Sequence, residues 1–160
     1  MKKKIYILLV ALISFVLFVW GALYLNERLF QGEYYHYEDG VTIEVTNSSE
    51  EELTNLSFII NPLFQDLGSI RSLEPKESIS LYTPAINKVG NDRSLYLKYL
   101  NNQMREEQVS LAYLASYNPI KIVVILDITG KDHMGRFLYR VKGFDDVSHF
   151  EYEITTHEDN

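Results

Sequence analysis

A run of twenty-one uncharged residues, from Ile5 to Leu25, constrains this chain more than any other feature of its sequence. At about 1.5 Å per residue, a helix of this length spans roughly 31 Å, close to the hydrocarbon thickness of a bilayer. Leu, Ile, Phe and Val fill fourteen of the twenty-one positions, so transfer of the run into a bilayer is favourable. The sequence therefore predicts a transmembrane helix at residues 5–25.

Charged residues flank this predicted helix unequally. Three lysines precede it at residues 2–4, whereas Glu27 and Arg28 follow it. The positive-inside rule then predicts a basic cytoplasmic start at residues 1–4 and places residues 26–160 outside the membrane. A cleaved signal peptide begins in the same way, but its apolar region usually has only about 7–15 residues. We therefore expect an uncleaved single-pass anchor in a cell membrane, with cleavage as the alternative.

The composition of the segment after this helix limits its partners. Residues 26–160 contain all twenty-two acidic residues and twelve of the fifteen Lys and Arg residues, a formal charge of 12 − 22 = −10. Nucleic acid is excluded as a partner, because binding phosphates requires a basic surface. The charge favours a basic protein partner, a cation or simple solubility. The chain has no cysteine, so packing alone must hold the outer domain, a composition that favours a bacterial envelope.

Beyond a predicted stalk at residues 26–39, apolar residues alternate with polar ones, which indicates strands with one buried face. The positions expected on buried faces are Val41, Ile43 and Val45; Leu56, Phe58 and Ile60; Ile79 and Leu81; Leu95, Leu97 and Tyr99; Val109, Leu111 and Tyr113; Ile120, Ile122, Val124, Leu126 and Ile128; Phe137, Tyr139 and Val141; and Phe150, Tyr152 and Ile154. A further short strand is predicted at residues 69–73. The strand around Val124 is also apolar on its other face, at Val123 and Ile125, so we expect it centrally in its sheet or beneath a loop.

Turn residues separate these predicted strands. Asn101 and Asn102 tolerate positive φ and predict a tight hairpin. The polar residues 47–52 predict the tip of an earlier hairpin. An irregular segment is expected at residues 62–68, where Leu63, Phe64 and Leu67 have the spacing of a helical turn, and loops are expected at residues 84–92 and 130–135.

Eight or nine short strands with no amphipathic helix between them predict the fold class. We expect an all-β antiparallel β-sandwich over residues 40–156, followed by a polar tail at residues 157–160.

Two stretches resemble a known family. Residues 41–60, VTIEVTNSSEEELTNLSFII, resemble the first hairpin of the immunoglobulin-like modules of bacterial single-pass membrane proteins. Residues 73–81, LEPKESISL, are similar to the turn before a strand in those modules, although Lys76 stands where glycine often follows the proline. The resemblance covers about forty residues. It implies an immunoglobulin-like sandwich in a tethered extracytoplasmic module, and it carries no functional residue.

The sequence contains none of the short motifs that carry common catalytic or cofactor chemistry. A Gly-x-Ser-x-Gly elbow, a phosphate-binding loop and a His-Glu-x-x-His zinc helix are all missing from it. We therefore expect no enzyme activity, no catalytic residue and no cofactor.

Two groups of side chains have the chemistry of metal ligands. The first contains Asp145, Asp146, His149 and His157, and the second contains Asp127 and Asp132. Neither group has the fixed ligand set of a zinc site or the spaced oxygen ligands of an EF-hand loop. We expect a solvated polar loop at the first group and no metal at either.

Two other groups are the candidate partner-binding residues. They are the acidic run Glu50, Glu51 and Glu52, and the stalk tyrosines Tyr34, Tyr35 and Tyr37. The acidic run fits the attraction of a basic partner, with a solvated hairpin tip as the alternative. The three tyrosines could form a binding surface, lie at the lipid headgroups or pack on the domain.

These features predict a membrane-tethered, extracytoplasmic, non-catalytic domain that binds another envelope protein. The alternatives are an immunity protein that neutralises an antibacterial toxin at the membrane and, in a different class, an envelope hydrolase. An edge strand or the loops at one end of the sandwich would provide the binding surface.

Overall fold

The structure, a computed structural model, describes residues 2–62, 65–84, 86, 93–116 and 118–156. An α-helix and a 3-10 helix precede nine strands. Their bounds are α1 Lys2–Gln31, the 3-10 helix Gly32–His36, β1 Gly40–Asn47, β2 Leu53–Asn61, β3 Gln65–Leu73, β4 Ser78–Thr83, β5 Arg93–Leu100, β6 Glu106–Leu114, β7 Lys121–Lys131, β8 Phe137–Phe144 and β9 His149–Ile154.

The first of two compact units, Met1–His36, contains α1 and the 3-10 helix. Among the described residues, α1 is the one helix long and apolar enough to cross a membrane. None of its apolar stretch is buried within the protein. A membrane anchor and a signal sequence both have these properties.

Helix α1 continues six residues beyond Leu25, so the predicted stalk is helical as far as Gln31. Glu27 and Arg28 favour helix, and Gln31 Nε2 donates to Glu27 Oε1 at 3.3 Å, one turn back. Gly32 then has a positive φ of 56°, which ends an α-helix at little cost in a residue without a Cβ.

The second unit, Tyr37–Asn160, consists of two packed sheets. One has the strand order β4-β1-β7-β8-β9 and the other the order β3-β2-β5-β6. Apolar side chains of both sheets form one core cluster, which confirms the prediction of an all-β, sandwich-like fold. One pair, β1 with β7, is parallel, so the prediction of a fully antiparallel sandwich is wrong there. The connection from β6 to β7 ends beside the first residue of β1, where Gly40 N–H donates to Ile120 O at 2.8 Å. Strand β7 therefore starts beside the start of β1 and runs in the same direction.

Strands β1 and β2 lie in different sheets, so the hairpin predicted for residues 41–60 is wrong. Strand β1 pairs with β4 and β7, whereas β2 pairs with β3 and β5. Alternation identified both strands correctly. It gives the face that each strand buries but contains no information about which strand lies beside it.

The alternating apolar residues predicted most of the core. Val41, Ile43 and Val45 in β1, for example, are at most 1% exposed. Strand β7 is the third of five in its sheet, and Val123 on its second face is also fully buried. The central position predicted for this strand is confirmed.

Three residues expected in the core are exposed, and one of them, Ile79, is 38% exposed because it lies on the edge strand β4. Tyr113 is 59% exposed because the pairing of β5 with β6 shifts register at Leu95, leaving Leu111 and Ala112 both buried and turning Tyr113 outward. Ile120 is 62% exposed because β7 begins only at Lys121.

Strand β3 begins at Gln65, so the irregular conformation expected at residues 65–68 is wrong. Gly68 has a φ of 118°, and the pairing of β2 with β3 shifts register beside it, which disguises the strand period. Leu63, Phe64, most of the predicted loop at residues 84–92 and the tail at residues 157–160 lie outside the described residues.

The turn predicted at Asn101 and Asn102 is confirmed, but it is a five-residue loop, and its positive φ of 58° belongs to Met104. The chain joins the sandwich at Tyr37, beside the start of β1. We call this the near end. The opposite, far end contains the connections at residues 48–52, 74–77, 101–105 and 132–136. The bonds of Asn47 to Glu77 and of Lys131 to Glu51, and the close approach of Asn102 to Gly135, bring them together.

Candidate partner-binding surface

The acidic residues predicted to bind a partner lie in the connection at residues 48–52, which we call the acidic loop. The loop is built on Asn47, which is fully buried. Asn47 Nδ2 donates to the carbonyl oxygens of Glu51 at 2.8 Å and Leu73 at 2.9 Å, and its Oδ1 accepts the Ser49 hydroxyl at 2.6 Å. A buried amide with both ends satisfied holds the loop against β3.

Each glutamate of the acidic loop contacts a side chain from another element. The pairs are Glu50 with Lys76 at 2.8 Å, Glu51 with Lys131 at 3.1 Å and Glu52 with the Ser72 hydroxyl at 2.5 Å. The hydrogen bond and charge of Lys76 lower the pKa of the Glu50 carboxyl. The side chains of Glu50 and Glu51 remain 88% and 72% exposed. The acidic loop therefore presents accessible carboxylates, two of which already have a cationic neighbour.

The three stalk tyrosines have different surroundings. Tyr34 is buried, at 3% exposure. The ring of Tyr35 lies edge-on to Tyr24 with centroids 6.0 Å apart, and the Arg28 guanidinium lies 5.4 Å from the Tyr35 ring centroid. Tyr37 is half-buried and begins the second unit. The buried Tyr34 is therefore not part of an exposed aromatic surface.

The structure separates Tyr37 from the acidic loop. Tyr37 lies before β1 at the near end, and the acidic loop follows β1 at the far end. The eight residues of β1 place them about 25 Å apart. A single small contact surface cannot include both.

Asp145 is 1% exposed, so its prediction as part of a solvated loop is wrong. Its Oδ1 accepts the N–H groups of Val147 at 3.1 Å and Ser148 at 2.6 Å, and its Oδ2 accepts the N–H of Ala115 at 3.1 Å. Asp146 Oδ2 accepts the N–H of Ile120 at 3.1 Å. At the near end, backbone N–H groups of the turn after β8 and of the connection from β6 to β7 need acceptors. The carboxylates of Asp145 and Asp146 provide them.

Asp132 closes the turn between β7 and β8. Its Oδ1 accepts the N–H groups of Met134 and Arg136, and its Oδ2 lies 2.7 Å from Arg136 Nε. His149 lies edge-on to Phe144 at 5.3 Å. Within the described ranges, which omit His157, no three or more His, Cys, Asp or Glu side chains gather as a metal site would require.

The exposed edge strand β4 is a second candidate surface, which the sequence pattern did not identify. Beside it, the side chains of Glu44, Thr46, Ser78, Ile79 and Ser80 line a shallow depression of about 280 Å³. The sequence SISLYT contains no charge and no proline, features that allow pairing, but only the strand order shows that this strand is at an edge.

The two stretches that resemble immunoglobulin-like modules form β1, the acidic loop and β2, and the end of β3 with β4. Comparisons with protein-family models, with curated proteins and with solved structures give no match.

Proposed function

We propose that this protein is a single-pass, membrane-tethered, extracytoplasmic and non-catalytic domain that binds another envelope protein. The observation that carries the proposal is its division into an apolar, unburied helix and a separate sandwich with its own core. Such a helix needs a bilayer to cover it, and the sandwich is then displayed at the membrane. In this proposal the sandwich is a module of the immunoglobulin-like kind.

The orientation follows from charge. Lysines at residues 2–4 precede the apolar run 5–25, whereas one acidic and one basic residue, Glu27 and Arg28, closely follow it. The cytoplasmic side retains the more basic flank, so the sandwich lies outside. Its freedom from cysteine leaves it indifferent to the redox state on either side.

Binding is favoured over catalysis by how the sandwich uses its acidic groups. Asp132 and Asp145 accept backbone N–H groups as turn caps, and Glu50 and Glu51 pair with lysines. Side chains committed to turns and ion pairs contribute to stability and display charge. A formal charge of −10 on residues 26–160 favours a partner with a basic surface, whose approach it would accelerate.

The tether and its orientation can be tested with introduced cysteines, because the chain has none of its own. One variant carries Gln103→Cys, at an exposed position of the far end, and the other has a cysteine inserted before Lys2. In intact cells, a membrane-impermeant maleimide should label only the first. Labelling of only the second would reverse the orientation, and a mature chain that lacks α1 by mass spectrometry would show that the helix is a signal peptide.

Binding itself can be tested by site-specific photo-cross-linking of the full chain in its native membrane. A cross-linking residue would replace one of three exposed side chains in turn. They are Met104 in the far-end loop 101–105, Tyr113 on the edge strand β6 and Tyr82 on the edge strand β4, which are 75%, 59% and 47% exposed. A protein partner should give one discrete adduct from at least one position. Absence of an adduct at all three, together with turnover of an envelope substrate by the purified chain, would overturn the binding proposal.

A further inference from the structure

Four of the described strands lie at sheet edges, and three of them carry features that discourage pairing with another chain. Strand β3 contains Asp66 and Arg71, β6 begins with two glutamates, and both have a register shift in their pairing. Strand β9 contains Glu151 and Glu153. Strand β4 has neither a charged residue nor a register shift. It is therefore the edge that the sequence leaves open to an added strand.

The hydrogen bonds of β1 show which backbone groups of β4 face away from β1. Gly40 N–H and Ser48 N–H donate to Ile120 O and Ile128 O, so the even-numbered residues of β1 bond to β7. Asn47 N–H donates to Glu77 O at 2.9 Å, so the odd-numbered residues bond to β4. By the register, the odd-numbered residues of β4 bond to β1.

It follows that Ser78, Ser80 and Tyr82 direct their N–H and C=O groups away from β1. Among the described strands, β4 pairs with β1 alone. The near end of β4 is held to the other sheet, since Thr83 Oγ1 donates to Leu67 O at 3.3 Å. The stretch from Ser78 to Tyr82 offers three donors and three acceptors at the spacing of a strand.

The surroundings of this edge are acidic. Glu44 lies beside Ser80 in the register and lines the shallow depression on the outer face. Glu77 precedes β4. Asp39 lies at the near end of β4, and the Asp39 carbonyl oxygen accepts a hydrogen bond from the Tyr82 hydroxyl at 2.7 Å. The lysine beside β4, Lys76, is already held by Glu50 and by Ser48 O. On β3, Asp66 and Arg71 cancel in charge.

We propose that an extended segment of a partner protein adds to β4 as a sixth strand, and that this segment alternates Lys or Arg with apolar residues. Its basic side chains lie on the outer face and reach Glu44, and its apolar side chains continue the inner face of Ile79 and Leu81. This inference rests on the proposed binding function and specifies its site and the chemistry of its partner. Backbone pairing supplies affinity, and the charge at Glu44 supplies preference for a basic strand.

The experiment uses the full chain in detergent and two blocked nine-residue peptides, one alternating Lys with Val and the other alternating Glu with Val. The Lys-Val peptide should bind at least about tenfold more tightly, and salt should weaken its binding. Hydrogen exchange followed by NMR should slow at the amides of Ser78, Ser80 and Tyr82 when this peptide is added. Slowing confined to other strands, or equal binding of both peptides, would overturn the proposal.

Substitutions at Ser80 and Glu44 separate pairing from charge. Ser80→Pro removes an outward N–H without removing a bond to β1, so Lys-Val binding should fall by about tenfold or more. The matched variant Ser80→Ala retains that N–H and should bind as the original chain does. Glu44→Gln should lower affinity for the Lys-Val peptide and narrow the difference between the two peptides.

Several results separate this inference from the proposed function. Equal binding by Ser80→Pro and Ser80→Ala, when both melt within a few degrees of the original chain, would overturn strand addition. Protection of the same amides that rises with protein concentration without peptide would assign the edge to a second copy and also overturn it. A photo-cross-link from Met104 or Tyr113 but not from Tyr82 would reject β4 as the site and leave the binding function standing.

Discussion

Two turns at the far end of the sandwich have the same hydrogen bonds but different sequences. In loop 101–105, Asn101 N–H donates to Arg105 O at 2.9 Å, and Met104 N–H donates to Asn101 O at 3.0 Å. In loop 132–136, Asp132 N–H donates in the same way to Arg136 O at 2.9 Å, and Gly135 N–H donates to Asp132 O at 3.0 Å. In both loops, a side-chain oxygen of the first residue accepts the N–H groups of the third and fifth residues.

The fourth position distinguishes the two loops. Its φ is positive in both, 58° at Met104 and 84° at Gly135. Glycine adopts this conformation readily, whereas another residue pays about 1–2 kcal/mol. A Cβ at Gly135 would lie 2.5 Å from the backbone nitrogen of Asn102, so a side chain has no room there. Met104 is 75% exposed and does have room. The neighbouring loop, more than the turn itself, therefore decides where glycine is obligatory.

The first position differs for an electrostatic reason. Asn101 Nδ2 donates to Glu107 Oε1 at 2.7 Å, which requires an amide. Asp132 Oδ2 accepts from Arg136 Nε at 2.7 Å, which favours a carboxylate. Each loop thus uses the residue that suits the charge beside it, while the backbone role of that residue stays the same.

Substitution of Gly135 should have the largest effect. Gly135→Ala should lower the free energy of unfolding by roughly 2–4 kcal/mol, because it combines a positive φ with a contact against backbone. The measurement is denaturant unfolding of the full chain in detergent, followed by near-UV circular dichroism. Gly130→Ala is the control, since nothing lies within 4 Å of the added carbon, and it should change stability by less than about 1 kcal/mol. Equal effects of the two substitutions would show that the contact between the loops does not constrain Gly135.

Exchanging amide for carboxylate at the first position should have the next largest effect. Asn101→Asp removes the donor to Glu107 and places two carboxylates in contact, which should cost roughly 2 kcal/mol at neutral pH. In a double-mutant cycle, Glu107→Gln should recover most of that loss. Unfolding free energies of the four variants test this. Additive effects of the two substitutions would contradict the assigned role of Glu107.

The two loops also show how far the sequence specifies the fold. Asn101 and Gly135 marked both turns, and alternation marked the strands and the central position of β7. The positive φ at Met104 was not predictable, because an exposed methionine carries no turn signal. The register shifts between strands were also not predictable from the sequence. One extra residue at Leu111 turned Tyr113 outward, although the sequence alternation continues through it.

The candidate surfaces depend on contacts that sequence order does not contain. The charges of Glu50 and Glu51 were evident, but Lys76 approaches them from the connection at residues 74–77 and Lys131 from strand β7. The burial of Asp145 was not predictable from its neighbours in sequence, because one N–H group that donates to its carboxylate belongs to Ala115, thirty residues away. The β4 edge became identifiable only with the strand order, since SISLYT has the composition of an interior strand as well as of an open edge.

Glycine at the fourth position of loop 101–105 should stabilise the protein. Met104→Gly relieves the positive φ, although the more flexible unfolded chain offsets part of the gain, so the net increase should be about 0.5–1 kcal/mol. Met104→Ala is the control, because it removes the exposed side chain and retains the strained backbone, and it should change stability by less than about 0.5 kcal/mol. The melting temperatures of the two variants provide the measurement. A rise with alanine as large as that with glycine would assign the effect to the side chain.

The smallest effect is expected from making the two first positions alike. Asp132→Asn retains the oxygen that accepts the N–H groups of Met134 and Arg136 and should cost less than about 1 kcal/mol at neutral pH. Desolvation opposes ionisation of Asp132, but the Arg136 guanidinium and the two N–H donors outweigh it, so the pKa of this carboxyl is lowered. A lowered pKa in the folded state contributes stability above the pKa of an unfolded aspartate, about 3.9, and that stability is lost as pH falls through the folded value. Melting temperatures of the original chain and the variant, measured from neutral pH to below that value, should therefore converge in acid. Other carboxylates such as Glu50 titrate in both chains, so the difference between the two curves isolates Asp132. Parallel curves would mean that the Arg136 contact contributes nothing through charge, and the choice of aspartate in one loop and asparagine in the other would then need a different cause.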